Sequence, residues 1–394
     1  MEFVRIRDTL ELSACALLSQ EPVRLKVAMV APSLGILGGQ AVQADRLLTA
    51  WRDDPEIDAW LVPVNPLPPG PLRAATRVKY ARTIATELTY FPLLLRELRR
   101  ADVVHVFSAS YTSFLLAPLP AMMAARLLGR PIVLNYRSGE APDHLRRSAI
   151  ARASIAHVDK NVVPSSFLVD VFKTFGIGAE IIPNLVDLDR FRFQPRASLR
   201  PRLVSTRNLD PLYNVGCTIR AFRLVQGRWP EATLTLVGGG VDDAPLRALV
   251  AELGLRHVTF AGRVKPDEIA RVYADHDIYI QSPNLDNMPT SVIEAYASGL
   301  PVVSTDAGGV PAILTHGVHG LLAPVNDHEA LGAQVVRLLD EPGLAERLTR
   351  AAFEACQSCT WNAVRGQWLR AYRSVVPQER MAMLERSAAE RPSR

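Results

Sequence analysis

Asp286 and Glu294 stand eight residues apart in the stretch SPNLDNMPTSVIEAYASGLPVVSTDAGGVP, residues 282–311, with Pro289 and the Thr290-Ser291 pair between them. An ionised carboxylate only accepts hydrogen bonds, so two acids this close suit a hydroxyl-rich ligand. Pro289 disfavours helix at Met288 and is comfortable at or just before a helix start, where Thr290 or Ser291 is a good N-cap. Val292, Ile293, Ala295, Tyr296 and Ala297 then form a short apolar helix that Gly299 ends. Leu300–Ser304 has the pattern of a buried parallel strand, and Ala307-Gly308-Gly309 is expected to turn into another helix. Two helix starts with free N–H groups would then lie close together, and such groups attract anions, typically phosphate. The stretch therefore suits a ligand that carries both hydroxyl groups and phosphate.

Residues of this kind need rigid elements behind them, and the chain supplies two similar sets. Leu25–Pro32 reads as a buried strand that runs into Ser33-Leu34-Gly35-Ile36-Leu37-Gly38-Gly39-Gln40 and an amphipathic helix through Trp51. A strand, a Gly-rich turn and a helix start make a loop that a phosphate can approach, although the full Gly-x-Gly-x-x-Gly spacing is absent. Ile57–Val64, Asp102–Phe107 and Pro131–Tyr136 read as further strands, and Asn161–Ser166 ends a strand and caps a helix. Ile181–Phe191 closes this half, and polar residues through Pro201 read as a linker. Beyond it, Arg202–Thr206, Ala232–Val237, Val258–Ala261 and Ile278–Gln281 alternate with helices up to the acidic stretch.

Alternating strands and helices on both sides of a linker predict an α/β chain of two doubly wound parallel sheets. Each sheet should bind ligand at the carboxyl ends of its strands, so substrates meet in a central cleft between domains. The expected boundaries are 1–194 for the first domain, with residues 1–22 as an extension, and 195–360 for the second. Within 361–394, a helix near Trp361–Val376 is expected to cross back to the first domain, and residues from Pro377 onward to fray.

Composition narrows the function. Apolar residues at 48% and charged residues at 22% are globular values, so each half can bury a core. The longest uncharged apolar run, Phe114–Ala125, contains Pro118 and Pro120 and is too short to span a bilayer. The first 22 residues lack a signal-peptide pattern, which gives a cytoplasmic expectation. Net charge is a mild +5, but Arg73, Arg77, Lys79, Arg82, Arg96, Arg99 and Arg100 crowd one segment against Glu87 and Glu97. Basic residues around the apolar run Tyr90–Leu95 fit either an anionic membrane surface, with the protein peripheral at its inner face, or a solvated helix face. No aromatic-basic motif points to nucleic acid. Cys356 and Cys359 form a Cys-x-x-Cys with no second pair at zinc spacing, and they follow no strand as a thioredoxin-like motif would. Asp187-Leu188-Asp189 lies in the linker and Asp275-His276-Asp277 at a buried strand, so neither is placed to hold a metal in the cleft. His105, inside a strand, reads as a core residue.

The Asp286–Gly309 stretch resembles the donor-site signature of family 4 glycosyltransferases, retaining enzymes of the GT-B fold with two Rossmann-like domains. Their pattern is Glu, seven residues, Glu, a small-residue helix, Gly-Leu-Pro-Val-Val and Gly-Gly, and here Asp286 replaces the first Glu on a shorter arm. The resemblance extends over residues 25–375. It implies a nucleotide-diphosphate sugar as donor, a glycan or glycolipid acceptor bound by the first domain, and no metal cofactor. Gly38 and Gly39 resemble the first-domain loop near the donor phosphates, and Ile182-Pro183-Asn184-Leu185-Val186-Asp187 resembles the family linker. Gly262-Arg263-Val264 resembles the loop beside the base, and Glu294 matches the acid that accepts from the ribose. Asp286, Asn287, Met288 and Pro289 match the segment facing the transferred sugar, and Thr290-Ser291 the diphosphate-binding backbone.

Two positions depart from that pattern. Arg207 matches the family's Arg, but its Lys, expected a few residues later, falls on Tyr213 or Asn214. A hydrogen bond to a charged group is worth ~1.5–3 kcal/mol, so losing the cation would slow diphosphate departure by roughly one to two powers of ten unless replaced. Many members also have a His where this chain has Arg137, which can hold a phosphate and substitute for the Lys. The sequence reading is a metal-independent retaining glycosyltransferase in cell-envelope polysaccharide or glycolipid synthesis. Its rivals are a non-catalytic sugar-nucleotide-binding subunit and a sugar-nucleotide epimerase.

Overall fold

A computed structural model describes residues 24–35, 38–67, 70, 79–196 and 198–389. The expected extension 1–22 and the bases Arg73 and Arg77 lie outside the described residues.

Two six-stranded sheets organise the chain, and every pairing within them is parallel. The first holds β1 (Leu25–Ala31), β2 (Ile57–Pro63), β3 (Val103–Ser108), β4 (Ile132–Tyr136), β5 (Lys160–Val163) and β6 (Glu180–Ile181), in the order β2-β1-β3-β4-β5-β6. The second holds β7 (Arg202–Ser205), β8 (Thr233–Val237), β9 (Val258–Gly262), β10 (Ile278–Ile280), β11 (Val302–Thr305) and β12 (Leu321–Ala323), in the order β12-β11-β10-β7-β8-β9. Strands β1, β3, β4 and β11 are buried throughout their length, because helices cover both faces of each sheet. β1 departs from this only at Lys26, whose backbone N–H is held by Asp102 at 2.9 Å.

Strand order reverses between β1 and β3 in one sheet and between β7 and β10 in the other. Loops leaving neighbouring strands at such a point diverge to opposite faces and open a crevice at the strands' carboxyl ends. The two crevices face each other.

Trp361–Arg373 forms a helix whose Trp361, Val364, Trp368 and Tyr372 recur at the spacing of one helical face and pack on the first sheet with Met29, Trp51 and Phe107. Residues after Pro377 depart from the fraying expected of them. Gln378–Ala389 is helical, with Met381 and Leu384 packed against the same core and Arg380 donating twice to Asp102, each at 2.9 Å. A forked Arg–carboxylate contact fixes such a segment where composition alone gives no reason for order.

The segment before Pro201 is also more firmly held than a linker of polar residues suggests. Arg196 is buried and donates to the carbonyls of Ser298 at 2.8 Å and Gly299 at 3.1 Å, at the C-terminal end of the Thr290–Ala297 helix. A cation there satisfies carbonyls that the helix leaves open.

His105 is fully buried in β3, with Nδ1 2.8 Å from the Tyr372 hydroxyl and Nε2 3.1 Å from the Asn135 amide. Burial, then the charge of Arg137, lowers its pKa to about 3, so it is neutral in the native protein at ordinary pH. In the unfolded chain it gains a proton below about pH 6.5. Its contribution is therefore complete above that pH and declines as pH falls toward 3, by at most about 1.4 kcal/mol per pH unit. Urea unfolding at pH 7 and pH 5 should show a smaller loss of stability in His105→Gln than in the unsubstituted protein; equal losses would remove His105 as a cause.

Candidate active site

Arg207 follows β7 directly and crosses toward the loop after β10. Its guanidinium is ion-paired with the Asp286 carboxylate and donates through Nη1 to the Ser291 hydroxyl at 3.0 Å. It also lies 4.1 Å from the centre of the Tyr213 ring, within cation–π range. Burial works against the Arg207 charge, but Asp286, with Tyr213 next, raises its pKa overall. Tyr213, one of the two residues on which the expected Lys position falls, is thus stacked on Arg207. The Gly238–Gly240 triplet holds this loop: a Cβ on Gly238 would lie 2.1 Å from the Arg207 carbonyl, and one on Gly240 2.1 Å from the Leu209 carbonyl. Backbone contact this close admits only glycine.

The Asp286 loop is built the same way from the other side. The Asp286 carbonyl accepts from Gly309 N–H at 2.8 Å, and its Oδ1 accepts from Asn287 N–H at 2.8 Å. Gly308 has φ +55°, and a Cβ on Gly309 would meet the Asn287 carbonyl at 1.9 Å. This revises the expectation of two adjacent helix starts. Val310–Ala312 is one turn of 3-10 helix, and the Gly309 N–H is engaged by the Asp286 backbone rather than free for a ligand. The Thr290–Ala297 helix is present, but Pro289 occupies its N-cap without a side-chain cap. Ser291, expected as a cap, accepts from Arg207 instead, because a charged donor is the stronger partner.

Three contacts from the first domain close on the same loop. Ser165 donates to Asn287 Oδ1, and Asn184 Nδ2 donates to the Met288 carbonyl at 2.8 Å. Gly139 lies so close that a Cβ would be 3.3 Å from the Asp286 backbone. Arg137 donates to Asn184 Oδ1, with its guanidinium 5.7 Å from the Phe107 ring centre. Burial, then the charge of Arg46, lowers the Arg137 pKa to about 9, which leaves it a cation at neutral pH.

Glu294 bridges the domains. Its Oε1 accepts from Arg46 at 2.8 Å and its Oε2 from the Tyr273 hydroxyl at 3.1 Å. Arg46 also donates to the Leu185 carbonyl at 3.2 Å, beside Gln43 at 2.8 Å. Neither Arg46 nor Gln43 was foreseen; they share a face of the Gly39–Trp51 helix, whose polar positions were the available signal.

A cavity of about 590 Å³ lies between the domains at both crevices. Gly39, Arg137, Arg207, Asp286, Asn287, Met288, Pro289 and Thr290 line it, which brings together eight residues singled out from the sequence. Ser291 stands behind that wall, joined to it through Arg207, and Glu294, paired with Arg46, is not part of the lining. Gly38 is the extended residue before the Gly39–Trp51 helix, and Val264 packs against the core behind the Thr290–Ala297 helix, so neither lines the cavity. Gln40, Ser110–Ser113, Glu140, Asn184 and Tyr213 line it without having been singled out as site residues. Cys356 and Cys359 are buried thiols whose pKa values burial raises to about 12 and about 11. Among the described residues no group of three or more His, Cys, Asp or Glu gathers as metal ligands.

Two facing doubly wound domains with a charged cleft define a GT-B glycosyltransferase fold. A solved structure similar to this chain, Anabaena Alr3699/HepE in complex with UDP-glucose, has a TM-score of 0.71 at 18% identity and covers 89% of this chain and 100% of its own. Residues 37–190 match the family described as Glycosyltransferase Family 4, and residues 189–355 match Glycosyl transferases group 1. The phosphatidyl-myo-inositol mannosyltransferase of Mycobacterium leprae is 26% identical, over 89% of this chain and 97% of that protein. Sulfoquinovosyl transferase SQD2 of Arabidopsis thaliana is 26% identical over 72% of this chain and 59% of its own length. The chain belongs to glycosyltransferase family 4.

Gly309→Ala should displace the Asp286 loop and lower the melting temperature. Gly227→Ala, in the last turn of the Val215–Arg228 helix with nothing within 4 Å, should not lower it. A Gly309→Ala protein that melts like the unsubstituted one would show that the close approach is dispensable.

Proposed function

We propose that the protein is a retaining glycosyltransferase that moves a sugar from a nucleotide-diphosphate sugar to an acceptor hydroxyl, in making a cell-envelope glycolipid or polysaccharide. The observation that carries this reading is the Arg207–Asp286–Ser291 cluster beside the Thr290–Ala297 helix, facing a cavity between two strand-order reversals. Arg207 and the first turn of that helix, at Thr290, stabilise the negative charge that grows on the departing diphosphate. Asp286 holds sugar hydroxyls and supports the oxocarbenium-like transition state. Glu294 fixes the ribose with the lone pairs that Arg46 and Tyr273 leave open.

Arg137 is a cation that the first domain sets on the cavity wall, and it takes the place of the absent Lys, whose position falls on Tyr213 or Asn214. Same-face attack, with the leaving phosphate accepting the acceptor's proton, gives retention without a second carboxylate as nucleophile and without a metal. The domain contacts around Asn287 and Met288 exclude water that would hydrolyse the donor.

A glycolipid acceptor is supported by the relative named for mannosyl transfer to phosphatidyl-myo-inositol. No helix among the described residues is long and apolar enough to cross a membrane. A peripheral position would use Ile84 and Leu88, exposed on the Lys79–Leu98 helix, with Arg96, Arg99 and Arg100 near its end.

Nucleotides and nucleotide sugars screened by thermal shift should include at least one that stabilises, since a ligand at a hundred times its Kd adds about 2.7 kcal/mol. No shift with any of them would sink the reading. With the stabilising donor, Arg137→Ala should lower kcat about ten- to hundredfold, the factor one hydrogen bond to a charged group carries. Unchanged kinetics would remove Arg137 from the chemistry. Binding without turnover on any acceptor would favour the rival reading, a non-catalytic sugar-nucleotide-binding subunit, which the missing Lys and His suggest.

A further inference from the structure

We infer that Glu140 is the acceptor-binding carboxylate of this site, holding a hydroxyl of a neutral, hydroxyl-rich acceptor beside the ring of Tyr111. The inference rests on the glycosyl-transfer reading and adds to it the acceptor wall and the chemical class the wall takes.

Two carboxylates line the cavity, in opposite states. Asp286 is neutralised by Arg207. Glu140 precedes the Ala141–Arg147 helix, yet its side chain does not cap it; its backbone N–H is held by Ser138 Oγ at 3.3 Å and its carbonyl accepts from the His144 N–H at 2.9 Å. Among the described residues no side chain donates to the Glu140 carboxylate. The nearby acid, Asp143, is by contrast fully used: it accepts from the Tyr111 hydroxyl at 2.7 Å and from Arg146 at 2.6 Å, with Arg147 at 3.0 Å. Burial and the charge of Asp143 raise the Glu140 pKa, as befits a carboxylate set in a wall without a counter-ion. A partly buried carboxylate with no protein donor is left to water, which a ligand hydroxyl can displace at little cost.

The surrounding wall suits a sugar or polyol. Tyr111 has φ +54°, a left-handed conformation that aromatic residues rarely adopt and that persists where surrounding contacts hold it. Asp143 anchors its hydroxyl, and the His144 ring packs 5.4 Å from its own, so the exposed part of the Tyr111 ring is fixed at the cavity. Thr112 and Ser113 add exposed side chains with hydroxyl groups beside it, while the Ser110 hydroxyl is held by Tyr136 at 2.9 Å. A rigid ring flanked by hydroxyls and one free carboxylate presents an apolar platform with hydrogen-bond acceptors. Hydroxyl groups donate to such a carboxylate, whereas a phosphate beside it would be repelled. The cations of the cavity lie elsewhere: Arg207 is bound to Asp286 and Arg137 to Asn184.

The test uses the full chain, the nucleotide sugar that gives the largest thermal shift, and four acceptor probes: octyl glucoside, myo-inositol, glucose 6-phosphate and myo-inositol 1-phosphate. Transfer, followed by mass spectrometry, is expected to octyl glucoside or myo-inositol in preference to the phosphorylated compounds. Glu140→Ala should lower kcat/KM for the neutral acceptor about ten- to hundredfold, mainly through KM, with Glu140→Gln between the two. Both variants should melt no lower than the unsubstituted protein and keep its nucleotide-induced shift, which separates acceptor binding from a role in folding or donor binding. Preference for the phosphorylated probes, transfer to neither neutral probe while the donor is hydrolysed, or unchanged acceptor kinetics in both variants would overturn the inference. Absence of any nucleotide shift in the unsubstituted protein would overturn the donor reading and this inference with it.

Discussion

The ion pair between Arg207 and Asp286 is the contact on which the site is built. Each residue follows a strand at the strand-order reversal of the second sheet, and neither could stay where it is alone. Both side chains are about nine-tenths buried, at 10% and 14% exposure. An isolated charge at that depth costs several kcal/mol, and removing one partner of such a pair typically costs about 3–5 kcal/mol. Four glycines make the pairing possible by letting backbone meet backbone. Gly238 and Gly240 seat the Arg207 loop, and Gly308 and Gly309 seat the Asp286 loop. The charge pair and the glycines are one device: the glycines bring the loops into reach, and the charges fix their register.

The same loop is where the two domains meet. Asn287 is held by Ser165, Met288 by Asn184, and Glu294 by Arg46. Each of these contacts joins a residue of the first domain to the segment between β10 and the end of the following helix. The second domain therefore contributes the loop and the first domain contributes what closes over it. Polar partners dominate this seam, in contrast to the apolar faces that bury each sheet. Hydrogen bonds exchange with water at small net cost, so a polar seam can open and reclose where an apolar one would resist.

Buried polar groups away from the cleft serve the scaffold. Arg196 ties the connection between domains to the C-terminal carbonyls of the Thr290–Ala297 helix, which stiffens that helix from the end opposite the cavity. His105 ties β3 to the returning Trp361–Arg373 helix through Tyr372.

Much of this was legible in the residues. Buried strand runs such as LKVAMVA and PIVLNY, each followed by helical periodicity, led to two doubly wound sheets because parallel strands covered on both faces must be apolar throughout. The Asp286–Gly309 stretch pointed to hydroxyl and phosphate recognition through residue types alone. The errors came where a side chain had distant partners to choose from. Thr290 or Ser291 was read as a cap from its neighbours, but Pro289 holds that position and Ser291 is taken by Arg207, 84 positions away. The Gly309 N–H was read as free, yet the Asp286 backbone takes it. Residues past Pro377 were read as fraying, since nothing local reveals that Asp102 awaits Arg380. Local sequence determined which elements form, which faces are apolar and which chemistry is at hand, because periodicity and residue type act over a few positions. Only the tertiary structure decided that Arg46 meets Glu294, that Tyr213 lies under Arg207 and that no described side chain donates to the Glu140 carboxylate, because each depends on the approach of strands and helices far apart in the chain.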